Sequence, residues 1–440
     1  MSRGAPSAPV PDARAFAIET IHAVIRKRQA LDALLDRLAG DGGFAALSPP
    51  DRGLTRAIAT SALRGLGIIR AALSARMAGG MPADAGPLEP ALIAGVAQLL
   101  FLNVPDHAAV HATVERIKAD RHGRRYAPLA NAVLRAIARD KAAILAGADP
   151  LADNTPGWLA ERWTRTYGEE TARAIACAHL DEPPLDLTVK TDAAGWADRL
   201  GGVLLPTGSV RLRNAGSITA LPGFEDGAWW VQDMAAALPA RILAPKPGER
   251  VLDLCAAPGG KTAQLVAAGA QVVAVDRSAP RLRRLTANLD RLGLTAEVQA
   301  ADGLTFSADP FDAVLLDAPC SATGTLRRHP DTAWNRTLAD LASLVDLQAR
   351  LLDSAWRLTG RGGRLVYATC SLEPEEGERQ VAAFLARTPD AALIPINAAM
   401  IGNCAELIDP AGFLRVLPSQ FASLGGCDGF FAALIVKSRP

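Results

Sequence analysis

The sequence predicts a mostly parallel α/β domain, preceded by an all-helical domain and a small α+β module. Three observations lead there. Residues 13–145 carry helix-period apolar spacing without a strand signal. Residues 155–240 mix two short helices with short strand candidates separated by Gly/Pro turns. From about residue 245, strand-like and helix-like stretches alternate, the pattern of a parallel sheet with right-handed crossovers.

In the helical part, apolar residues recur at 3–4 spacing in 15–24, 31–38, 55–72, 88–102 and 130–145. "GDGGF", "LSPPDR", "GGMPADAGP" and "NVPDH" punctuate them. "AGADPLADNTPGW" (146–158) reads as a linker, followed by helices over 157–167 and 169–180. "DEPPLDLTVKT", "GGVLLPTGSVRLRN" and "GAWWVQD" supply the short strands of the middle module. In the last part, strands are expected over 250–254, 271–275, 297–300, 313–316 and 364–368, with helices over 262–268, 280–292, 338–358 and 375–387. "GFLRVLPS" and "DGFFAALIVKS" read as a closing β-hairpin. The domain limits are therefore 1–147, 148–240 and 241–440.

Composition sets the outer bounds. With 440 residues, 49% of them hydrophobic and 21% charged, the chain is long enough for two or three soluble globular domains. The net charge of +1 names no partner. Its distribution says more: residues 1–150 hold 19 Lys+Arg against 13 Asp+Glu, leaving 28 against 33 for the rest. A basic helical front end is compatible with nucleic acid binding and equally with a solvated helix surface. The densest basic cluster is Arg121, Arg124, Arg125, Arg135, Arg139 and Lys141. No apolar run reaches the roughly 18–20 residues of a membrane span, and "MSRGAPSAPVPDARAF" lacks the apolar core of a signal peptide. Six cysteines without a CxxC pair argue for a reducing, cytoplasmic compartment and against a zinc ribbon or a disulfide scaffold.

Three strand ends carry the chemistry. "VLDLCAAPGGKT" (251–262) reads as strand, Gly-rich turn and helix start. "DAVLLDAPCSATG" (312–324) and "GRLVYATCSLE" (363–373) each end a strand in a cysteine. Junctions of this kind open on one edge of a parallel sheet, so Cys320 and Cys370 are expected side by side, next to a nucleotide-type cofactor. The turn narrows the cofactor. A GxGxxG fingerprint is absent, and a P-loop needs glycine where Cys255 stands. S-adenosylmethionine remains, because it needs a turn and an acidic residue for its ribose but no phosphate cradle. Asp276 ends the next strand, where a carboxylate accepts ribose hydroxyls, and Asp302 follows the third strand, near an adenine. A cysteine after a strand is commonly a small core residue. Here both cysteines precede serine and are expected outside the apolar runs. Two thiols beside a methyl donor suit methylation at cytosine C5, where a thiolate added at C6 activates the carbon and a second thiol assists elimination.

These stretches, with "VVAVDRSAPRLRRLTANLDRLGL" and "DGFFAALI", resemble the Sun-type RNA cytosine-5 methyltransferases, and within them the bacterial 16S rRNA enzymes. "LSPPDRGLTRAIATSALRGLG" and "LLFLNVPDHAAVHATVERIK" are similar to the NusB-type helical RNA-binding domain that precedes the methyltransferase in that subfamily. The resemblance implies a Rossmann-like class I methyltransferase domain with a mostly parallel seven-stranded sheet. It implies S-adenosylmethionine as cofactor, RNA as partner, no metal, a monomer, and a cytosine of the 967 type in 16S rRNA as target. It assigns Cys370 as nucleophile, Cys320 to product release, and Asp317 to the cytosine edge and the methyl donor, with Lys261 in the same cleft. The cofactor set it implies is Cys255, Ala256, Ala257, Pro258, Gly259, Gly260, Lys261, Asp276, Arg281, Asp302 and Asp317. The family pattern "YSTCS" departs here to "YATCS", with Ala368 in place of the first serine and little consequence expected.

Other readings compete. The same chemistry could act on tRNA or 23S rRNA, the fold could be a non-catalytic RNA-binding assembly factor, or the turn could belong to a P-loop ATPase. His107 and His111, four apart on a helix, lack a third metal ligand in sequence and read as ordinary positions. "TLRRHPD", including His329, reads either as a phosphate contact or as a solvated loop. Trp229 and Trp230 read as core or as substrate contacts.

Overall fold

The structure, a computed structural model, describes residues 12–213 and 215–438. The N-terminal stretch read above for a signal peptide lies largely outside them. Contacts divide the chain into two compact units, Met1–Leu180 with Leu326–Asn335, and Asp181–Thr325 with Arg336–Pro440.

The first unit is helical: α1 (Ala13–Lys27), α2 (Leu31–Ala39), α3 (Gly42–Ala45), α4 (Pro49–Arg64), α5 (Leu66–Ser74), α6 (Leu88–Phe101), α7 (Asp106–Ala119), α8 (Ala127–Gly147), α9 (Gly157–Tyr167) and α10 (Glu169–Leu180). The last two, grouped with the middle module by sequence, count with this unit. Helix α6 is buried along nearly its whole length and forms the centre, which is why its apolar residues run around the helix instead of along one stripe. Residues 55–72, expected as one helix, break at Gly65 into α4 and α5, bent by 73°. Two features build the bend. A Cβ at Gly65 would collide with the Phe101 ring. Asn154 then serves both broken ends, donating to the Arg64 carbonyl at 2.7 Å and accepting from the Gly67 N–H at 3.0 Å. Among the described residues no single helix is long and apolar enough to cross a membrane; the bent pair passes by length and composition, and much of it is buried in this unit.

The second unit holds two sheets. The smaller is antiparallel, in the order β2 (Val203–Leu204), β3 (Val210–Leu212), β1 (Leu185–Val189), β4 (Trp229–Val231), with α11 (Ala193–Leu200) against it. Trp229 and Trp230 lie within it as buried core. Helix α12 (Leu238–Leu243) then leads into the larger sheet: β5 (Arg250–Leu254), α13 (Gly260–Ala267), β6 (Gln271–Asp276), α14 (Ala279–Leu292), β7 (Glu297–Ala300) and β8 (Phe311–Asp317). Helix α15 (Asp331–Asn335) belongs to the first unit. The chain continues with α16 (Leu338–Leu358), β9 (Thr359–Thr369), α17 (Glu378–Arg387), β10 (Ala391–Ile394), β11 (Leu414–Val416) and β12 (Phe430–Lys437).

The larger sheet runs β10-β12-β9-β8-β5-β6-β7, with β11 added on β12. The expected seven strands form the continuous path, and β11 is an eighth. Strands β5 to β9 are parallel, and β12 pairs antiparallel with β9, β10 and β11. The chain winds outward from β5 to β7, then returns to β8 on the other side of β5. That reversal opens a crevice at the carboxyl ends of β5 and β8, where α/β sheets bind ligands. The central strands read as continuous apolar runs because helices cover both faces. Strand β10 and helices α11 and α12 were not legible in sequence. β10 is an edge strand with alternating half-exposed residues, and both helices are shorter than three turns.

Candidate active site

The cofactor turn is shaped by backbone geometry. Cys255 takes φ 66° and Gly259 φ 103°, both left-handed, and the Ala257–Pro258 bond is cis. Gly259 has to be glycine twice over, since a Cβ there would also lie 2.6 Å from Leu285. Helix α13 starts immediately after, and no side chain caps its first turn. Its free N–H groups and positive dipole end are suited to an anionic group such as a carboxylate. Beside it, Asp276 accepts from the Ser278 N–H at 2.8 Å and the Ala257 N–H at 3.2 Å, one bond per oxygen. The oxygen that accepts from Ser278 keeps a lone pair for a further donor. Arg281 braces the arrangement from outside, bonding the Ala257 carbonyl and reaching Asp276 at 3.5 Å. Asp302 is exposed and caps its own turn through the Leu304 N–H at 2.9 Å. An uncapped helix end next to a ribose-type carboxylate acceptor fits a nucleoside that bears a free amino-acid carboxylate.

The turn's own cysteine is not a reactive thiol. Burial pushes Cys255 up to about 12. Burial also pushes the Asp253 carboxyl up to about 7, although the Thr262 hydroxyl donates to it at 2.6 Å. Its other oxygen has no partner.

The two thiols meet as the strand order requires. Strands β8 and β9 are parallel neighbours, and Cys320 Sγ lies 3.5 Å from Cys370 Sγ. Lys261 Nζ, from the start of α13, pairs with Asp317 at 2.8 Å and lies 4.9 Å from the centre of the Phe430 ring. One cleft edge thus gathers Cys320, Cys370, Asp317 and Lys261. One expectation is corrected here: Cys370 is partly exposed, but Cys320 is enclosed at 9% exposure. The Ser321–Thr325 loop folds back over it, with Gly324 packed backbone to backbone on Gly429, where a Cβ would collide. The Gly324 N–H bonds the Cys370 carbonyl at 3.0 Å, tying the two loops together. The hydrogen bond to Cys370 and burial hold the Cys320 thiol well above its ordinary range, so Cys320 keeps its proton and can donate it to Cys370.

A buried carboxylate that sequence reasoning passed over supports this edge. Glu376, 0% exposed, accepts from the Ser321 N–H at 2.9 Å, from the Ser321 hydroxyl, and from Gln348 at 2.9 Å. Gln348 also bonds the Pro319 carbonyl at 2.9 Å. Arg415 holds the other loop by donating to the Ser371 carbonyl at 2.6 Å. Ser321 and Ser371 face each other at 3.1 Å, so the two Cys-Ser pairs stack, thiol on thiol and hydroxyl on hydroxyl. "LEPEEGE" advertised four acidic residues without a sign that Glu373 and Glu376 are the buried ones.

Known proteins decide the family. The model of the 16S rRNA methyltransferase RsmB/F family matches residues 240–436, and that of the NusB family matches residues 11–139. A ribosomal RNA small subunit methyltransferase B from Klebsiella pneumoniae is 39% identical over 450 residues, covering 97% of this chain and 98% of the relative. The chain belongs to the RsmB/F family of 16S rRNA methyltransferases. A Vibrio cholerae relative with the same name is 37% identical across 89% of this chain and 91% of its own length. Among solved structures, PH0851 shares the fold with a TM-score of 0.76 at 24% identity, covering 96% of this chain and 98% of that one. A methyltransferase homolog from Pyrococcus horikoshii covers 65% of this chain and 96% of its own, with a TM-score of 0.54 and 30% identity.

Two stretches singled out in sequence lie in the helical unit. "TLRRHPD" is not a fully solvated loop, because Leu326–Asn335 counts with that unit. Arg327 is 1% exposed, with its carbonyl accepting from Arg64 at 3.0 Å. Asp331 accepts from the Leu31 N–H at the start of α2, Trp334 donates to the Leu63 carbonyl, and His329 pairs with Asp32 at 2.9 Å. His107 and His111 lie exposed on α7 along a cleft facing α8. No group of three or more metal-ligating side chains forms among the described residues.

Proposed function

We propose that the protein transfers a methyl group from S-adenosylmethionine to C5 of a cytosine in 16S rRNA, through a covalent bond between Cys370 and C6. The observation that carries this reading is the thiol pair, 3.5 Å apart at the carboxyl edge of β8 and β9, in a chain of the RsmB/F family.

The residues divide the work. The turn from Cys255 to Lys261, with Asp276, Arg281, Asp302 and Asp317, would hold the cofactor, which supplies an electrophilic methyl group. Cys370, the more accessible thiol, adds to C6 as its thiolate, and the C5–C6 electron pair becomes nucleophilic at C5. Asp317, oriented by Lys261 at 2.8 Å, faces the base edge. After transfer, C5 carries a methyl and a proton. Solvent water takes that proton as the double bond re-forms, the C6–S bond breaks and the Cys370 thiolate leaves. Cys320, next to the departing sulfur, assists this release. The base must be unstacked to reach the cleft, so a loop or partly folded RNA is the substrate. The exposed Arg121, Arg124, Arg125, Arg135 and Arg139 supply backbone contacts. We take the enzyme to act as a cytoplasmic monomer.

The test is methylation mapping of 16S rRNA by bisulfite sequencing in cells with and without the gene, alongside transfer assays on 16S, 23S and tRNA transcripts. Loss of one 16S cytosine mark supports the reading. An unchanged 16S pattern with a lost tRNA or 23S mark would move the target.

A further inference from the structure

In the second unit a cleft lined by none of the residues of the thiol edge opens between the β2–β3 turn, α12 and α13. Its charges do not cancel. Two cations line it, Arg241 and Lys190, and no carboxylate does. Lys190 donates to the Leu292 carbonyl at 2.5 Å. Arg241 has no ion pair among the described residues, and the one ionisable group acting on it is the Cys404 thiol. The protein makes room for this guanidinium. Gly208 takes φ 84° in the β2–β3 turn, and a Cβ there would lie 2.9 Å from Arg241 Nη1. Thr207, in the same turn, is 2% exposed, and its hydroxyl has no hydrogen-bond partner. A small-residue wall from α12 and α13 keeps the cleft open.

A partly desolvated guanidinium without a counter-ion, an unneutralised ammonium and an orphan hydroxyl on one wall are a site for an anion with several acceptor oxygens. We propose that this cleft takes a phosphodiester of the RNA substrate outside the nucleotide being methylated, with Arg241 and Lys190 as its cationic contacts. The assignment rests on the RNA methyltransferase reading above. Helix α13 ties the two places together: it begins at the cofactor turn with Gly260 and Lys261, and Gln264, Ala267 and Ala268 line the cleft. At 1.5 Å per residue these lie about 5 to 10 Å further along its axis than Lys261. The cleft is therefore placed for a flanking phosphate, and its donors are blind to base identity.

The experiment uses the full chain, unmethylated 16S rRNA transcript, and the variants Arg241→Gln, Lys190→Gln and the double variant. RNA affinity is measured from low to moderate potassium chloride, S-adenosylmethionine affinity by calorimetry, and folding by thermal melts. Arg241→Gln is expected to weaken RNA binding about 5- to 10-fold at low salt and to lower the slope of log K against log salt by roughly 0.7–0.9, one phosphate's worth. KM for RNA should rise by the same factor, with cofactor affinity equal to wild type. The double variant should lose about two such increments, and Arg241→Lys should recover part. A melt unchanged from wild type, with RNA affinity and slope also unchanged, overturns the proposal. So does a variant that loses binding of inorganic phosphate while keeping the wild-type RNA slope, since the site would then serve a free anion. If Arg241→Gln melts early, Lys190→Gln alone decides by the same slope. A wild-type chain that fails to bind or methylate RNA would instead sink the parent reading, and the two failures are distinct.

Discussion

The loops after β8 and β9 carry the same dipeptide, Cys-Ser, in different surroundings. The Cys320 loop is folded back on itself, clasped through Ser321 by the buried Glu376 and backed by Gly429. The Cys370 loop is held by Arg415 at the carbonyl of Ser371, one residue beyond the sulfur, and leaves the thiol partly exposed. One thiol is thus presented to the cleft, and the other is kept protonated behind it. The lesson is that identical local chemistry is divided into roles by what packs on the far side of each loop. The hydrogen bond to Cys370 leads the causes that hold Cys320 above its ordinary range. In the proposed reaction, bonding Cys370 to C6 would remove the first of these causes and leave burial as the next.

Substitutions in the two loops test this contrast. Replacing Cys370 by Ala should lower methyl transfer by about 10³-fold or more and abolish any covalent RNA adduct on denaturing gels. Retained methylation would reverse the assignment. Replacing Cys320 by Ala should also stop turnover, but with the adduct accumulating and surviving denaturation. Absence of that adduct would leave the two thiols without distinct roles. Glu376→Ala strands the Ser321 N–H and the Gln348 amide in a buried place, a cost of roughly 2–3 kcal/mol in urea unfolding. The loosened Cys320 loop should slow release about tenfold or more, and Glu376→Gln should recover part of both.

Asp253 offers a pH test of the cofactor turn beneath the two loops. Its carboxyl titrates at about 7 in the fold, against 3.8 for an ordinary aspartate. Between these values the folded state holds a proton that the unfolded chain has released. Stability therefore falls as pH rises through that window and is lowest above about 7. Asp253→Asn should flatten the urea midpoint between pH 5 and 8, with a gain on the order of 1–3 kcal/mol at pH 8. A wild-type profile that does not decline with pH would show that Asp253 is charged in the fold. The smallest effect is expected from Ala368→Ser, which restores the family pattern. The site is fully buried in β9, so the added hydroxyl should cost about 1–2 kcal/mol unless it finds a partner. Transfer rates should stay within about twofold.

Much of this was readable from residues alone. Four of the five parallel strands were legible because buried parallel strands are written as short apolar runs between turn residues, whereas the half-exposed edge strand β7 followed from the strand–helix alternation. The meeting of Cys320 and Cys370 followed from strand ends sharing an edge. The break at Gly65 was hidden, since the apolar spacing continues through it and the cause is Phe101, distant in sequence. The burial within "TLRRHPD" was hidden for a related reason. A basic stretch reads as solvated or phosphate-facing, and only packing in the helical unit shows Arg327 buried and Asp331 bonded to the start of α2.

Local pattern and the fixed geometry of parallel sheets were enough for the family, the strand–turn–helix motifs and the presence of two thiols at one sheet edge. Packing settled which thiol is open, which glutamates of "EPEEGE" are buried, and where cations line a cleft without counter-ions. Burial and partnership are properties of what packs against a residue, and those neighbours come from far along the chain.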